Sequence, residues 1–288
     1  MNRSRFTPMW WSALSILMVL VLAGLLMMST RPVTAQAQPQ ALPRYAVFEY
    51  MKIEPGKAAD YRKVEQEIWL PIHRERVKAK LIRSWALWGV RYPGGTSREY
   101  DVVAITLYDN FKDLENSYPA EVFTKAHPKL SRDEIGAQTS AARKMIRTEV
   151  LSILELARPG PEDARSQPAA APAKYARFDF KKVEFGKGNH YVRNERKYYQ
   201  PLWQEHVNQG LLRGWAVCGV SFPGGSEREY GFLTVQLYDK FEQLERPSTA
   251  NIWAKVHPTV NGDKISAEMS AISRTVRSEV LTLIDRVP

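Results

Sequence analysis

Apolar and polar residues alternate along several short stretches of this chain, and elsewhere apolar residues recur every three or four positions. Residues 45–52 alternate, which predicts a β-strand. Residues 57–80 carry apolar side chains at helical spacing, which predicts a helix. Pro71 lies inside this stretch, and because proline lacks a backbone N–H we expect an irregularity one turn earlier.

The pattern then returns to alternation. Residues 81–92 and 99–109 predict two strands, and Pro93-Gly94-Gly95 between them is typical of a hairpin turn. Residues 111–144 are helical in pattern with a break near His127-Pro128, and residues 145–156 predict a last strand. The predicted order is therefore β-α-β-β-α-β.

This whole order occurs twice. Leu81–Phe111 and Leu211–Phe241 match at a constant spacing, as for Trp85 and Trp215 (215 − 85 = 130). We therefore predict two tandem units, residues 44–157 and 174–288, joined by a Pro/Ala-rich linker at residues 158–173. We call residues 130 apart equivalent.

The first residues have the pattern of an export signal. A basic start is followed by an apolar run and by Ala35-Gln36-Ala37, which is typical of a cleavage site. We predict a signal peptide at residues 1–37, a tether at residues 38–43 and a periplasmic or secreted protein. The alternative is an uncleaved membrane anchor, because about 20 apolar residues can cross a bilayer.

The repeated unit resembles the dimeric α+β barrel superfamily, in which two ferredoxin-like units pack sheet to sheet. The resemblance depends on the element order and on the following motifs and their equivalents: Tyr45, Pro55-Gly56-Lys57, Trp69-Leu-Pro-Ile-His73, Arg83-Ser-Trp85, Tyr100 and Arg147-x-Glu149. It implies an α+β fold in which both units of one chain form an intrachain barrel. It also implies a choice of activities, since that superfamily includes cofactor-independent monooxygenases, haem-binding enzymes and proteins of unknown role.

Composition narrows the choice of partners. The net charge is +10, but Lys and Arg are interspersed with Asp and Glu, so we expect no nucleic-acid partner. Contact with a membrane is expected only through the signal segment. Cys218 is the only cysteine, which excludes an internal disulfide, and we expect it to be a small core residue.

Strand alternation suggests where chemistry lies. In the first strand Ala46, Phe48 and Tyr50 form an apolar face that we expect to pack under the helices. The other faces would then line a polar and aromatic pocket between the two sheets, with these ligand-binding candidates: Glu49, Arg83, Trp85, Arg147, Glu149, Asp179, Arg213, Trp215, Arg277 and Glu279. The competing interpretation is structural, with Arg–Glu ion pairs joining the sheets and tryptophans filling the core.

The histidines give weaker signals. His73 and His206 lie on the two long helices, and either could act as a general base or haem ligand. His127 and His257 precede proline, which favours a capping role at a helix end. No His-x-x-x-His spacing occurs, so no metal site is predicted.

These observations predict an exported small-molecule-binding protein, with His73, His206, Trp85 and Trp215 as candidate catalytic residues. The alternatives are a cofactor-independent monooxygenase, a haem-binding enzyme, or a structural protein without a ligand. No cofactor is predicted, with haem as the alternative. The sequence leaves catalysis, the choice of active unit and further oligomerisation open.

Overall fold

The chain was analysed as a computed structural model, which describes residues 42–160, 172–245 and 249–288. The predicted signal peptide and most of the tether and linker lie outside these ranges. Within them, every helix is too short or too polar to span a bilayer.

Eight antiparallel strands form one closed barrel. In chain order the strands are β1 (Tyr45–Ile53), β2 (Ser84–Tyr92), β3 (Val102–Tyr108), β4 (Arg143–Ala157), β5 (Tyr175–Val183), β6 (Gly214–Phe222), β7 (Phe232–Tyr238) and β8 (Ser273–Val287). Around the barrel they follow the order β1-β3-β2-β8-β5-β7-β6-β4. Each half therefore has the ferredoxin-like arrangement, and the pairs β2–β8 and β4–β6 join the halves edge to edge. The α+β barrel predicted from the pattern is confirmed.

Helices lie outside the barrel in each half. The first half has α1 (Ala58–Val64), α2 (Leu70–Lys78), α3 (Ala120–Ala126) and α4 (Arg132–Ala142). The second half has α5 (Gly188–Asn194), α6 (Gln200–Asn208), α7 (Ala250–Val256) and α8 (Gly262–Ile272). Short 3₁₀ turns at Phe111–Leu114 and Phe241–Leu244 follow β3 and β7.

A π-helical turn interrupts each long helix. Glu65–Trp69 separates α1 from α2, and Glu195–Tyr199 separates α5 from α6. Both lie just before a proline at the start of the next helix, Pro71 or Pro201. The irregularity expected from proline is thus present one turn earlier, as a widened turn.

The core has three parts. One apolar cluster fills the barrel with side chains from both halves, including Phe48, Tyr50, Phe178 and Phe180. Two further clusters lie between the sheet and the helices, one in each half. The expectation that Ala46, Phe48 and Tyr50 pack under the helices is therefore wrong. Both faces of this sheet are buried, so alternation separates two faces without showing which one lines the barrel.

Candidate functional site

The predicted residues Arg147 and Glu149 lie inside the barrel, in a network that joins the halves. The hydroxyls of Tyr50 and Tyr230 both donate to Glu149, over 2.9 Å and 2.5 Å. Arg147 Nε donates to Glu149 over 3.3 Å, and the same guanidinium pairs with Glu99. Because Tyr230 comes from the second half, these contacts connect the two halves of the chain.

The predicted residues Arg277 and Glu279 form the matching network at the equivalent place. The Tyr100 hydroxyl donates to Glu279 over 2.6 Å, and Arg277 Nε lies 3.2 Å from that carboxylate. Arg277 also pairs with Glu229 over 2.9 Å. Burial raises the pKa of Glu279, while Tyr100 and Arg277 oppose the rise. Charged groups of opposite sign meet in both networks, which is the arrangement of the structural interpretation.

Arg83 and Arg213 are placed elsewhere. Arg83 precedes β2 and its Nε lies 3.1 Å from Asp109, while Arg213 precedes β6 and lies 3.8 Å from Asp239. These two arginines therefore do not join the other candidates in one pocket.

Glu49 and Trp85 line a pocket between the sheet and the helices of the first half. This first pocket has a volume of about 380 Å³. The Trp85 ring stacks on the His73 ring at 4.2 Å, and Trp85 Nε1 is buried without a hydrogen-bond partner among the described residues. Burial raises the pKa of Glu49, with Arg143 and Arg76 opposing the rise.

Arg76 lies next to His73, which lines the first pocket. It is completely buried, and its guanidinium donates to Ser117 O over 2.7 Å, to His73 Nδ1 over 2.9 Å and to the Tyr108 hydroxyl over 3.0 Å. It also lies 3.6 Å from the centre of the Tyr118 ring. Because His73 Nδ1 accepts from Arg76, the proton of the neutral imidazole is on Nε2. Burial and then Arg76 hold the pKa of His73 well below its ordinary value.

The second half has a much larger cavity at the equivalent place. Its volume is about 1110 Å³, and we call it the second cavity. Three of the predicted residues line it: Asp179, His206 and Trp215. Trp203 also lines it and stacks near Trp215 at 6.4 Å. Its walls combine aromatic rings with many polar side chains, and small-molecule sites likewise use polar groups to orient the ligand.

Two long side chains of the first half have shorter replacements in the second half, while His73 is replaced there by the larger Trp203 (203 − 73 = 130). His206 stands where the first half has Arg76 (206 − 76 = 130), so the buried guanidinium is replaced by a smaller imidazole. Ser273 stands where the first half has Arg143 (273 − 143 = 130), and both line their respective cavities. Each arginine replacement removes a long side chain from the space between sheet and helices.

A third long side chain of the first half is missing at the start of α8, where the second half has Gly262. It replaces Arg132 (262 − 132 = 130), which lines the first pocket. A Cβ at position 262 would lie 3.0 Å from Trp253 Nε1, closer than ordinary contact. Glycine therefore lets the Trp253 ring lie against the helix at the edge of the cavity, where its Nε1 donates to Val260 O over 3.0 Å.

His206 has a defined tautomer. Its Nδ1 donates to Leu202 O over 2.8 Å, so in the neutral ring Nε2 has a lone pair. Nε2 is itself buried and has no partner among the described residues. His206 is thus placed at the second cavity, but its acceptor nitrogen is enclosed by protein.

The other paired histidines are structural. His127 ends α3 and His257 ends α7, as expected from the following prolines. Their Nε2 atoms bond the carbonyls of Ile68 and Tyr198, each over 2.9 Å. The side chains therefore hold the π-helical turns rather than the ends of their own helices.

The sequence interpretation missed two buried carboxylates. Glu65 begins the first π-helical turn and lines the first pocket, and its equivalent Glu195 begins the second turn and lines the second cavity. Arg143 Nε lies 3.4 Å from Glu65, whereas Ser273 replaces that arginine in the second half. The sequence did contain a signal for this site. Both units have a glutamate at this position, Glu65 and Glu195, but only the first unit has the arginine, Arg143, where the second has Ser273.

Comparisons with known proteins bear on the fold. The chain matches no protein-family model and no curated protein. A candidate monooxygenase from Lactobacillus acidophilus NCFM superimposes with a TM-score of 0.51 at 9% identity, over 85% of this chain and 94% of that chain. A candidate monooxygenase from Fusobacterium nucleatum gives a TM-score of 0.50 at 8% identity, over 86% and 95%.

A haem-binding protein from Thermus thermophilus is a more distant structural match, with a TM-score of 0.45 at 10% identity over 84% and 92% of the two chains. At these identities the likeness shows the fold alone, which is that of the dimeric α+β barrel proteins. The ligand must be argued from this chain's own residues.

Proposed function

We propose that this protein binds a small, largely aromatic molecule in the second cavity. The observation that carries the proposal is the volume of about 1110 Å³ in the second half against about 380 Å³ at the equivalent place in the first. The first half keeps its space filled with Arg76 and Arg143 and acts as scaffold.

The lining supports an aromatic ligand. Six tyrosine and tryptophan side chains border the second cavity and offer flat apolar surface: Tyr191, Tyr199, Trp203, Trp215, Tyr238 and Trp253. Charged groups that line the same cavity would orient a bound molecule: Asp179, Lys181, Glu195 and Arg274. Sites for small organic ligands usually combine aromatic and apolar surface with polar groups that fix the orientation of the ligand.

Refilling the cavity tests the proposal. Ser273→Arg restores the arginine of the first half, which would occupy the space and pair with Glu195 as Arg143 does with Glu65. The control is Gly136→Arg, which adds the same side chain at the edge of the first pocket, where a Cβ meets nothing within 4 Å. The probe is 2-naphthol, and its binding is followed by isothermal titration calorimetry.

We expect the wild type and Gly136→Arg to bind 2-naphthol alike, and Ser273→Arg to bind it at least tenfold more weakly. Circular dichroism shows whether each variant is folded. Equal binding by a folded Ser273→Arg protein would contradict the assignment of the site.

The second cavity provides only part of what haem binding requires. Histidine is a common ligand of haem iron, and His206 is the histidine that borders the cavity among the described residues. Its Nε2 is enclosed by protein, however, so no nitrogen is presented to an iron. The proposal therefore concerns an organic molecule, and a haemin titration giving a Soret band that is lost in His206→Ala would contradict it.

The proposed place of action is outside the cytoplasm. This part rests on the basic, apolar and Ala-x-Ala pattern of residues 1–37. The intact mass of the protein from an exporting host tests it, because cleavage after Ala37 leaves a chain that begins at Gln38. A mass that retains the apolar segment would favour a membrane anchor.

A further inference from the structure

Glu195 is a carboxylate whose position suits chemistry on a bound molecule. It is only 6% exposed, and it lies on the wall of the second cavity. It begins the second π-helical turn, and such turns often place functional side chains because the widened turn shifts the residues that follow. Its place is therefore set by the helix rather than by a loop.

Glu195 has no equivalent of Arg143, the arginine that pairs with Glu65 in the first half. Ser273 stands at that place and its Oγ donates to Met269 O over 2.8 Å. Tyr191 lies one helical turn before Glu195, and its buried hydroxyl lies close to the Glu195 carboxyl. Besides Glu195, the titratable and charged groups that line the second cavity are Asp179, Lys181, Tyr191, Tyr199, His206, Tyr238, Asp263 and Arg274.

Burial is the largest influence on the pKa of the Glu195 carboxyl. Burial raises the pKa of Glu195 to about 7, although Tyr191 and Lys181 oppose the rise. A carboxylate with an ordinary pKa is a weak base, whereas one that titrates near neutral pH can take up a proton and release it again. The same cavity contains Lys181, whose Nζ donates to Thr275 Oγ1 over 2.7 Å.

We propose that Glu195 is a proton acceptor, and that its substrate is a weakly acidic aromatic molecule, such as a phenol or a ketone with an acidic C–H between its carbonyl and an aromatic ring. This inference rests on the proposed function, because the substrate must first enter the second cavity. In the step, a C–H or O–H bond of the substrate breaks and the proton moves to a Glu195 carboxylate oxygen. The electron pair stays on the substrate as an enolate or phenolate, so no oxidant or reductant is needed.

The experiment measures proton transfer separately from binding. The probe is 2-tetralone in D₂O, whose acidic C–H hydrogens exchange for deuterium each time an enolate forms and is reprotonated. Exchange is followed by mass spectrometry of the probe, and binding by tryptophan fluorescence of the same samples. The variants are Glu195→Gln, Glu195→Asp and, as the matched control in the first half, Glu65→Gln.

We expect the wild type to accelerate exchange, with a rate that rises as the pH increases through about 7, where the Glu195 carboxyl loses its proton. Glu195→Gln should bind the probe as the wild type does and lose about 100-fold or more of the exchange rate. Glu195→Asp should keep part of the rate, and Glu65→Gln all of it.

Two results would overturn the inference while leaving the binding site in place. One is a bound probe that exchanges no faster than in buffer, and the other is an unchanged rate in Glu195→Gln. If 2-tetralone and 2-naphthol both fail to bind the wild type, the proposed function falls and this inference falls with it.

Discussion

Glu195→Gln should make the protein more stable at alkaline pH and leave its stability nearly unchanged at acidic pH. The folded carboxyl has a pKa of about 7, against 4.5 for an unperturbed glutamate. Between these values the folded state binds more protons than the unfolded state, so the free energy of unfolding decreases as the pH rises. Above pH 7 the wild type then has an ionised carboxylate in a buried place, and glutamine carries no such charge.

The size of the effect follows from the pKa difference of about 2.5 units, at 1.36 kcal/mol per unit. The expected gain in free energy of unfolding at pH 8.5 is about 3 kcal/mol, which corresponds to roughly 6–12 °C in Tm for a domain of this size. At pH 4.5 both side chains are largely uncharged in the folded state, so the two proteins should differ by less than about 1 kcal/mol.

Urea unfolding at pH 4.5 and 8.5 gives both free energies. Glu65→Gln is the contrast, because removal of Glu65 leaves the Arg143 guanidinium without the carboxylate that lies 3.4 Å away, and this loss offsets the gain. A stability difference between Glu195→Gln and the wild type that is the same at both pH values would refute the reasoning about the buried charge.

Three further outcomes follow from single contacts. Tyr230→Phe leaves one oxygen of the buried Glu149 without its 2.5 Å hydrogen bond, so the free energy of unfolding should fall by about 2 kcal/mol in a urea titration, and no change would speak against a role in joining the halves. Gly262→Ala puts a Cβ 3.0 Å from Trp253, so we expect a loss of about 1–3 kcal/mol and weaker binding of 2-naphthol; unaltered Trp253 fluorescence would contradict the close approach. Cys218 is buried and burial raises its pKa to about 12, so a thiol reagent should modify it only after unfolding, and fast labelling of the native protein would disprove this.

The barrel was predictable because its determinants are local and repeated. Alternation located the strands to within a few residues, and the hairpin turn with its equivalent fixed which strands are neighbours. Pro71 correctly indicated where the long helix departs from α geometry. The ends of elements were less certain: β2 begins at Ser84 rather than at Leu81, because the chain turns from α2 into the sheet over residues 79–83.

The faces of the sheet were not predictable from alternation alone. Phe48 and Glu49 are adjacent in β1, so their side chains lie on opposite faces of the sheet. Only the tertiary structure shows that Phe48 points into the barrel and Glu49 towards the helices. The ten predicted ligand-binding residues therefore divide among two barrel networks, two ion pairs at strand ends and two cavities. Arg147 and Glu149 lie in one network, while Asp179 and Trp215 border the second cavity.

The candidate site depends on differences between the two halves, which a search for shared motifs overlooks. Arg76 and its replacement His206 are an example: the first fills its space with a guanidinium that has three hydrogen-bonding partners, and the second leaves room. Residues that are the same in both halves, such as Tyr100 and Tyr230, form the networks inside the barrel. The second cavity borders positions where an arginine of the first half is replaced by a smaller residue, such as Ser273 and Gly262.

The most direct test of the central claim is the fluorine NMR spectrum of protein labelled with 5-fluorotryptophan, recorded with and without 2-naphthol and assigned by single Trp→Phe variants. Trp203, Trp215 and Trp253 border the second cavity, Trp69 and Trp85 border the first pocket, and Trp88 lies in the barrel. Binding in the second cavity predicts that the resonances of the first three tryptophans shift and saturate together while those of Trp69, Trp85 and Trp88 stay in place. Shifts confined to Trp69 and Trp85, or equal shifts in both halves, would contradict the assignment of the ligand site to the second half.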